Sequence, residues 1–120
     1  AELEAAVRRA VGCGVAEEQL VLDPGIGFGK TWEQNLAQIR NLDELAPLGR
    51  PLLLGASRKS FIAKASARPD ASPERRLGGS LAAVAWGASQ GAAVVRVHDV
   101  AETAQFLDVW QAVARQETGA

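Results

Sequence analysis

The sequence predicts an α/β fold, and within that class the C-terminal part of a (β/α)8 TIM barrel, with about three parallel strands and flanking helices. Three observations carry this expectation. Helical patterns and apolar stretches alternate in the order α-β-α-β-α-β-α, as right-handed parallel βαβ units do. The strand stretches, residues 20–22, 51–54 and 92–97, are apolar almost without alternation, as expected of strands covered on both faces. A complete barrel of this kind takes about 250 residues, so three strands in 120 residues fit only its last part. The whole chain reads as one segment, 1–120.

Taken in order, residues 1–11 place Leu3, Val7 and Val11 four apart, a helical stripe that Gly12 and Gly14 stop. Strand 20–22 runs into Asp23-Pro24-Gly25-Ile26-Gly27-Phe28-Gly29. There, glycines at alternate positions let the backbone adopt conformations closed to other residues and approach a ligand closely. Thr31 and Gln34 have the spacing of a capping box, and Leu36 and Ile39 mark the expected inward face of the second helix. That helix fades near Pro47 and Gly49. Strand 51–54 ends abruptly in Gly55-Ala56-Ser57-Arg58-Lys59-Ser60, followed by a helical turn over 61–64. Ser72-Pro73-Glu74 reads as a helix start, with a capping serine and proline at the first position. Leu77, Leu81 and Val84 follow at helical spacing, and Gly91 ends that helix. Strand 92–97 closes in Arg96-Val97-His98-Asp99. Asp99 and Glu102 are expected to cap the last helix, whose apolar stripe is Phe106, Leu107, Trp110 and Val113.

The totals narrow the function classes. With 13 basic and 14 acidic residues, the net charge of −1 argues against a surface that coats nucleic acid. No apolar run approaches the length of a membrane span, and no signal peptide is evident. Cys13 is the only cysteine, so the chain cannot form an internal disulfide, and a reducing compartment such as the cytoplasm is expected. The plainest role for Cys13 is that of a small buried hydrophobe. Methionine is absent even at position 1, which suggests an interior or C-terminal piece of something longer.

The polar clusters all fall at the C-terminal ends of strands: Asp23, then residues 57–60, then Arg96 and His98. In β/α barrels that end is the active face, and the last strands commonly build a phosphate site there. Arg96 and His98, two apart on one strand, share a side. Two potential cations on a strand of Ala and Val call for an anion, either a ligand or a structural partner such as Asp99. Arg58, Lys59 and Ser60 precede a helical turn whose N–H groups favour anions, although a charged triplet also suits a solvated loop. Asp-Pro-Gly could equally be a simple turn. Two nucleotide-loop patterns fail by one residue each. A Walker-type loop ending at Gly29-Lys30-Thr31 needs glycine where Pro24 stands, and a dinucleotide fingerprint from Gly25 needs glycine where Lys30 stands. A soft metal finds no second His or Cys to join His98, so no metal ligand is assigned.

The segments LDPGIGFGKT, GASRKSFI and RVHDV, in this order and at these separations, resemble dihydropteroate synthase. The resemblance runs over essentially the whole chain, including Asn35-Leu36 and Gly79-Ser80, and corresponds to the last three strands of that family's barrel. It implies an enzyme of folate biosynthesis that condenses p-aminobenzoate with 6-hydroxymethyl-7,8-dihydropterin pyrophosphate and releases pyrophosphate, with Mg²⁺. The family's N-terminal motif, early mobile loops, middle-strand acids and metal ligand are not in this segment, so this piece alone is expected to be inactive. By resemblance, Asp23 binds the amino-pyrimidine edge of the pterin, and Lys59 its carbonyl. Arg96 and His98 hold the leaving pyrophosphate, Phe28 and Gly29 line the p-aminobenzoate pocket, and Ser60, with Arg58 and Lys59 beside it, meets the carboxylate. The resemblance also implies a homodimer through the last helices. Two other readings stay open: a pterin-binding methyltransferase barrel, which has no need of a pyrophosphate site, and a non-catalytic barrel remnant acting in dimerisation.

Overall fold

A computed structural model describes residues 2–115. The elements in order are α1 (Glu2–Gly12), a 3-10 turn (Glu17–Gln19), α2 (Trp32–Arg40) and a 3-10 segment (Leu42–Leu48). Then come β1 (Leu52–Leu54), α3 (Ser60–Ala65), a 3-10 turn (Pro73–Arg75), α4 (Leu77–Ser89), β2 (Ala92–Val95) and α5 (Val100–Ala114).

β1 and β2 pair in parallel, Leu52 against Ala92 and Leu54 against Val95. The expected first strand is reduced to one parallel bridge, Leu22 to Leu52. The Leu22 N–H donates to the Pro51 carbonyl at 2.8 Å, and the Leu53 N–H to the Leu22 carbonyl at 2.7 Å. Beyond Leu22 the Asp23 side chain turns the backbone aside, and Pro24 has no N–H to extend the ladder. The last strand also stops early, at Val95 rather than position 97. The Arg96 N–H still reaches the Leu54 carbonyl at 3.0 Å, but β1 has become loop at Gly55 and offers no further partner. The three segments nevertheless lie side by side, with β1 in the middle.

Two apolar clusters sit along this sheet. Leu22, Leu42 and Leu52 pack with Leu3 and Val7 of α1, so the first helical stripe covers the sheet at these two positions, while Val11 at its end is exposed. Ile26, Ile39, Leu54, Ala56, Phe61 and Ile62 form the second cluster, directly beneath the polar loops. On α2 the inward face is Ile39 with Asn35, which is 4% exposed, whereas Leu36 is 37% exposed. The buried face of α4 consists of Ser80, Val84 and Gly87, while Leu77 and Leu81 are only half-buried. A methyl group at Gly79 would overlap Ile62, and one at Gly87 would overlap Leu54. These two glycines let α4 press against α3 and β1 more closely than leucines allow.

Three further expectations are corrected. Ser72 makes no side-chain cap, because a 3-10 turn intervenes before α4. Cys13 is exposed rather than buried, since it follows the end of α1. On α5 only Thr103 is buried, while Trp110 and Val113 face outward, and the rings of Phe106 and Trp110 stack with centroids 6.0 Å apart. Among the described residues, no helix is long and apolar enough to cross a membrane.

Candidate active site

The glycine turn is held from three sides. Asp23 Oδ1 accepts the Gly25 N–H at 2.8 Å, closing a local turn. Lys30 Nζ donates to the Gly25 carbonyl at 2.9 Å and the Pro24 carbonyl at 3.3 Å, and Gln38 Nε2 donates to the Pro24 carbonyl at 3.1 Å. From α2, the buried Asn35 Oδ1 accepts the Gly27 N–H at 2.8 Å. Both halves of the Thr31–Gln34 capping box form, at 2.9 and 3.1 Å, and fix where α2 begins. Gly27 has φ of +90°, and a methyl group there would come within 2.8 Å of Lys59 Cδ. Only glycine satisfies both the conformation and the space. Phe28 points outward, 66% exposed.

After β1 the chain turns sharply at Arg58, which sits in the left-handed region with φ of +57°. Such a conformation costs a non-glycine residue about 1–3 kcal/mol and persists only where the surroundings impose it. Here they do. The Arg58 N–H donates to the buried Ser80 Oγ at 2.9 Å, and its carbonyl accepts from Arg76 Nη1 at 2.7 Å. Its guanidinium grips the Asp99 carboxylate at 2.9 and 3.3 Å. That hydrogen bond, aided by the Coulomb attraction of Arg58, holds Asp99 below the usual carboxylate range, and Asp99 in turn raises Arg58. Asp99 stands at the N-cap of α5 yet makes no side-chain cap, because its carboxylate is engaged by Arg58. Arg58 is thus committed to a clamp between the loop and α5.

The turn at Arg58 sends Lys59 back across the glycine loop. Its Nζ donates to the Ile26 carbonyl and lies 4.6 Å from the Phe28 ring centroid, a cation–π contact. Burial is the main force lowering the Lys59 ammonium below its ordinary value; Arg96 and Lys30 add to this and Asp23 opposes it. From the end of β2, the Arg96 guanidinium lies over Gly55, where a methyl group would come within 2.7 Å of Nη2. Arg96 Nη1 stands 4.0 Å from Asp23 Oδ2 in a loose, partly exposed pair. His98 Nδ1 is 3.0 Å from Ser57 Oγ.

All three strand ends therefore converge: Asp23 meets Arg96, Ser57 meets His98, and Lys59 spans to the glycine loop. A cleft of about 460 Å³ opens beside them, lined by Phe28, Trp32, Asn35, Lys59, Ser60 and Lys64 among others. Ser60 opens α3 on its exposed rim. Gly29 is exposed and does not contribute to the cleft lining. A larger apolar groove of about 560 Å³ between α2, α3 and α4, reaching Trp86, lies apart from these groups. Among the described residues no three of His, Cys, Asp and Glu come together as a metal set. The charged neighbour of Asp23 is itself a cation, so these side chains do not suit a divalent metal.

Sequence reasoning assigned no role to Asn35, Lys30, Gln38, Arg76 or Ser80, the residues that hold the two loops in shape. The one local signal for Asn35 was an amide on α2 beside Ile39, a place where a polar side chain must find a buried partner.

The family model described as pterin binding enzyme matches residues 1–98. The chain is 51% identical over 102 residues to a dihydropteroate synthase of Synechocystis sp., an alignment covering 85% of this chain and 35% of that protein. It superimposes with a TM-score of 0.89 and 42% identity on the Xanthomonas albilineans dihydropteroate synthase in complex with 7,8-dihydropteroate, covering 93% of this chain and 42% of that one. The same enzyme with 4-aminobenzoic acid also matches with a TM-score of 0.89, covering 93% of this chain and 40% of the other. The chain thus spans less than half the length of these relatives. The matched span includes Asp23, Ser57, Lys59, Arg96 and His98, and the chain belongs to the pterin binding enzyme family.

Proposed function

We propose that residues 1–120 supply the C-terminal half of the barrel of a dihydropteroate synthase, a transferase that joins p-aminobenzoate to 6-hydroxymethyl-7,8-dihydropterin pyrophosphate. The observation that carries the reading is the convergence of Asp23, Lys59, Arg96 and Ser57–His98 at the ends of three parallel segments. The ligands named for the Xanthomonas structures, 7,8-dihydropteroate and 4-aminobenzoic acid, support the two substrate classes.

In this reading the aniline nitrogen attacks the methylene carbon of the pterin. The C–O bond breaks, pyrophosphate leaves with the electron pair, and the nitrogen gives up one proton to solvent. Arg96, fixed over Gly55, and His98 present positive charge and an N–H donor where that negative charge develops. Asp23 Oδ2, the oxygen not used in the turn, accepts from the pterin N–H edge. Lys59 exchanges its bond to the Ile26 carbonyl for the pterin carbonyl. Phe28 and Ser60 border the p-aminobenzoate ring and carboxylate in the adjoining cleft. A magnesium ion finds no suitable ligand set here, so no step is assigned to it. The uncovered apolar face of α5, with its stacked Phe106 and Trp110, suits a homodimer contact, and one exposed cysteine suits a reducing cytoplasm.

The test is calorimetric titration of the intact protein carrying Arg96→Ala. Loss of a charged hydrogen bond, roughly 1.5–3 kcal/mol, weakens the pterin pyrophosphate about 10- to 150-fold. The dephosphorylated pterin changes little. Equal losses for both ligands overturn the pyrophosphate assignment.

A further inference from the structure

We propose that Ser57 is a positioning residue that fixes the tautomer of His98, so that the neutral imidazole presents Nε2–H to an anion bound beside Arg96. The resemblance assigns Ser57 no role. Its hydroxyl oxygen lies 3.1 Å from the His98 backbone nitrogen and 3.0 Å from His98 Nδ1, and the residue is 7% exposed.

The bonding can be counted atom by atom. The His98 backbone N–H can only donate, so it occupies one lone pair of Oγ. The remaining contact, with Nδ1, can run in either direction. If Nδ1 carries the ring proton, Oγ accepts twice and the hydroxyl proton is left without an acceptor among the described residues, in surroundings almost closed to water. A buried donor left unmade is costly. If Nδ1 is bare, the hydroxyl proton donates to it, every group is satisfied, and the ring proton sits on Nε2. The partner of one ring nitrogen thereby sets the state of the other. The same hydroxyl also anchors the backbone past the end of β2, where ladder bonding has ceased.

The consequence is chemical polarity. An Nε2–H donates to a phosphoryl oxygen, whereas the opposite tautomer presents a lone pair that repels it. The identity of the anion rests on the reading under Proposed function; the tautomer does not.

The experiment is ¹⁵N NMR of histidine-labelled intact protein without ligand, well above the ordinary imidazole pKa of about 6.5, with His98 assigned by loss of its signal in His98→Gln. The expected result is an Nε2–H tautomer in the wild type, a mixture in Ser57→Ala, and recovery in Ser57→Thr. Titration with inorganic pyrophosphate should then weaken roughly 2- to 10-fold in Ser57→Ala and recover in Ser57→Thr. An Nδ1–H tautomer in the wild type overturns the proposal even if the alanine variant fails to fold. An unchanged tautomer in a folded Ser57→Ala overturns it as well. A wild type that holds the Nε2–H tautomer yet ignores pyrophosphate supports the tautomer assignment and overturns the synthase reading.

Discussion

Asp23 divides its carboxylate between two tasks: Oδ1 closes the turn onto Gly25, while Oδ2 faces Arg96 at 4.0 Å. Asparagine forms such turns as readily as aspartate, so Asp23→Asn should leave the melting temperature close to that of the wild type. The amide nitrogen, in place of the outward oxygen, opposes the donors of a pterin. Affinity should fall by roughly 10- to 150-fold, the worth of a hydrogen bond to a charged group. Pterin titration beside a thermal melt checks both halves, and unchanged affinity with intact folding would return Asp23 to the role of a turn former. At this scale the chain was readable wherever position alone selects chemistry. Asp23, Lys59, Arg96 and His98 stand at strand ends, and a polar group at the end of an apolar strand is conspicuous. Ser80 was not readable in this way. Its hydroxyl supports the Arg58 N–H from 22 positions away, and nothing in the residues around it records that partner.

Between elements, the clamp from Arg58 to Asp99 ties the loop after β1 to the start of α5. Because Asp99 titrates below its ordinary value in the folded protein, its contribution to stability is fully present above about pH 4, the unfolded carboxylate value. It is lost as pH falls through the lower folded value. Asp99→Asn should therefore flatten the acid limb of a stability-versus-pH curve while changing neutral stability less than a core substitution does. Urea melts between pH 2 and 6 provide the check. The packing of α4 gives a second prediction. Gly79→Ala drives a methyl group into Ile62 and should destabilise by about 1–3 kcal/mol, less the modest helical gain of alanine. Gly78→Ala, one position earlier and open to solvent, should instead stabilise by about 0.5–1 kcal/mol. Opposite signs at neighbouring glycines, read by chemical denaturation, would confirm that contact rather than propensity decides here. The helical spacing of Leu77, Leu81 and Val84 announced the helix and its buried Val84, but not Ser80 and Gly87 on the same buried face. Periodicity follows large apolar residues, and this interface is made by the absence of side chains.

At the scale of the molecule, the sheet has one interior strand and two unpaired flanks. Val21 is 51% and Val94 44% exposed beside those flanks, and Val109 and Val113 of α5 are exposed as well. Parallel strands bare on a face or an edge are seldom stable alone. Residues 1–120 expressed by themselves should self-associate or melt without a sharp transition. A cooperative calorimetric transition from a monomer, verified by sedimentation, would contradict this. The alternation of helix and apolar stretch made the α/β class and the parallel order legible. The length of each strand was not, because a ladder ends where its partner turns away, and that depends on Gly55 and Pro24 acting across the sheet rather than along the chain. The central place of β1 also has a consequence in time. Ser57 and His98 stand 41 positions apart, and at roughly 5–20 residues per second a ribosome needs several seconds to make that interval. For most of it, β1 has one neighbour made and the other, β2, unwritten. Any nascent chain stalled before Ala92 is a sheet edge in search of a strand.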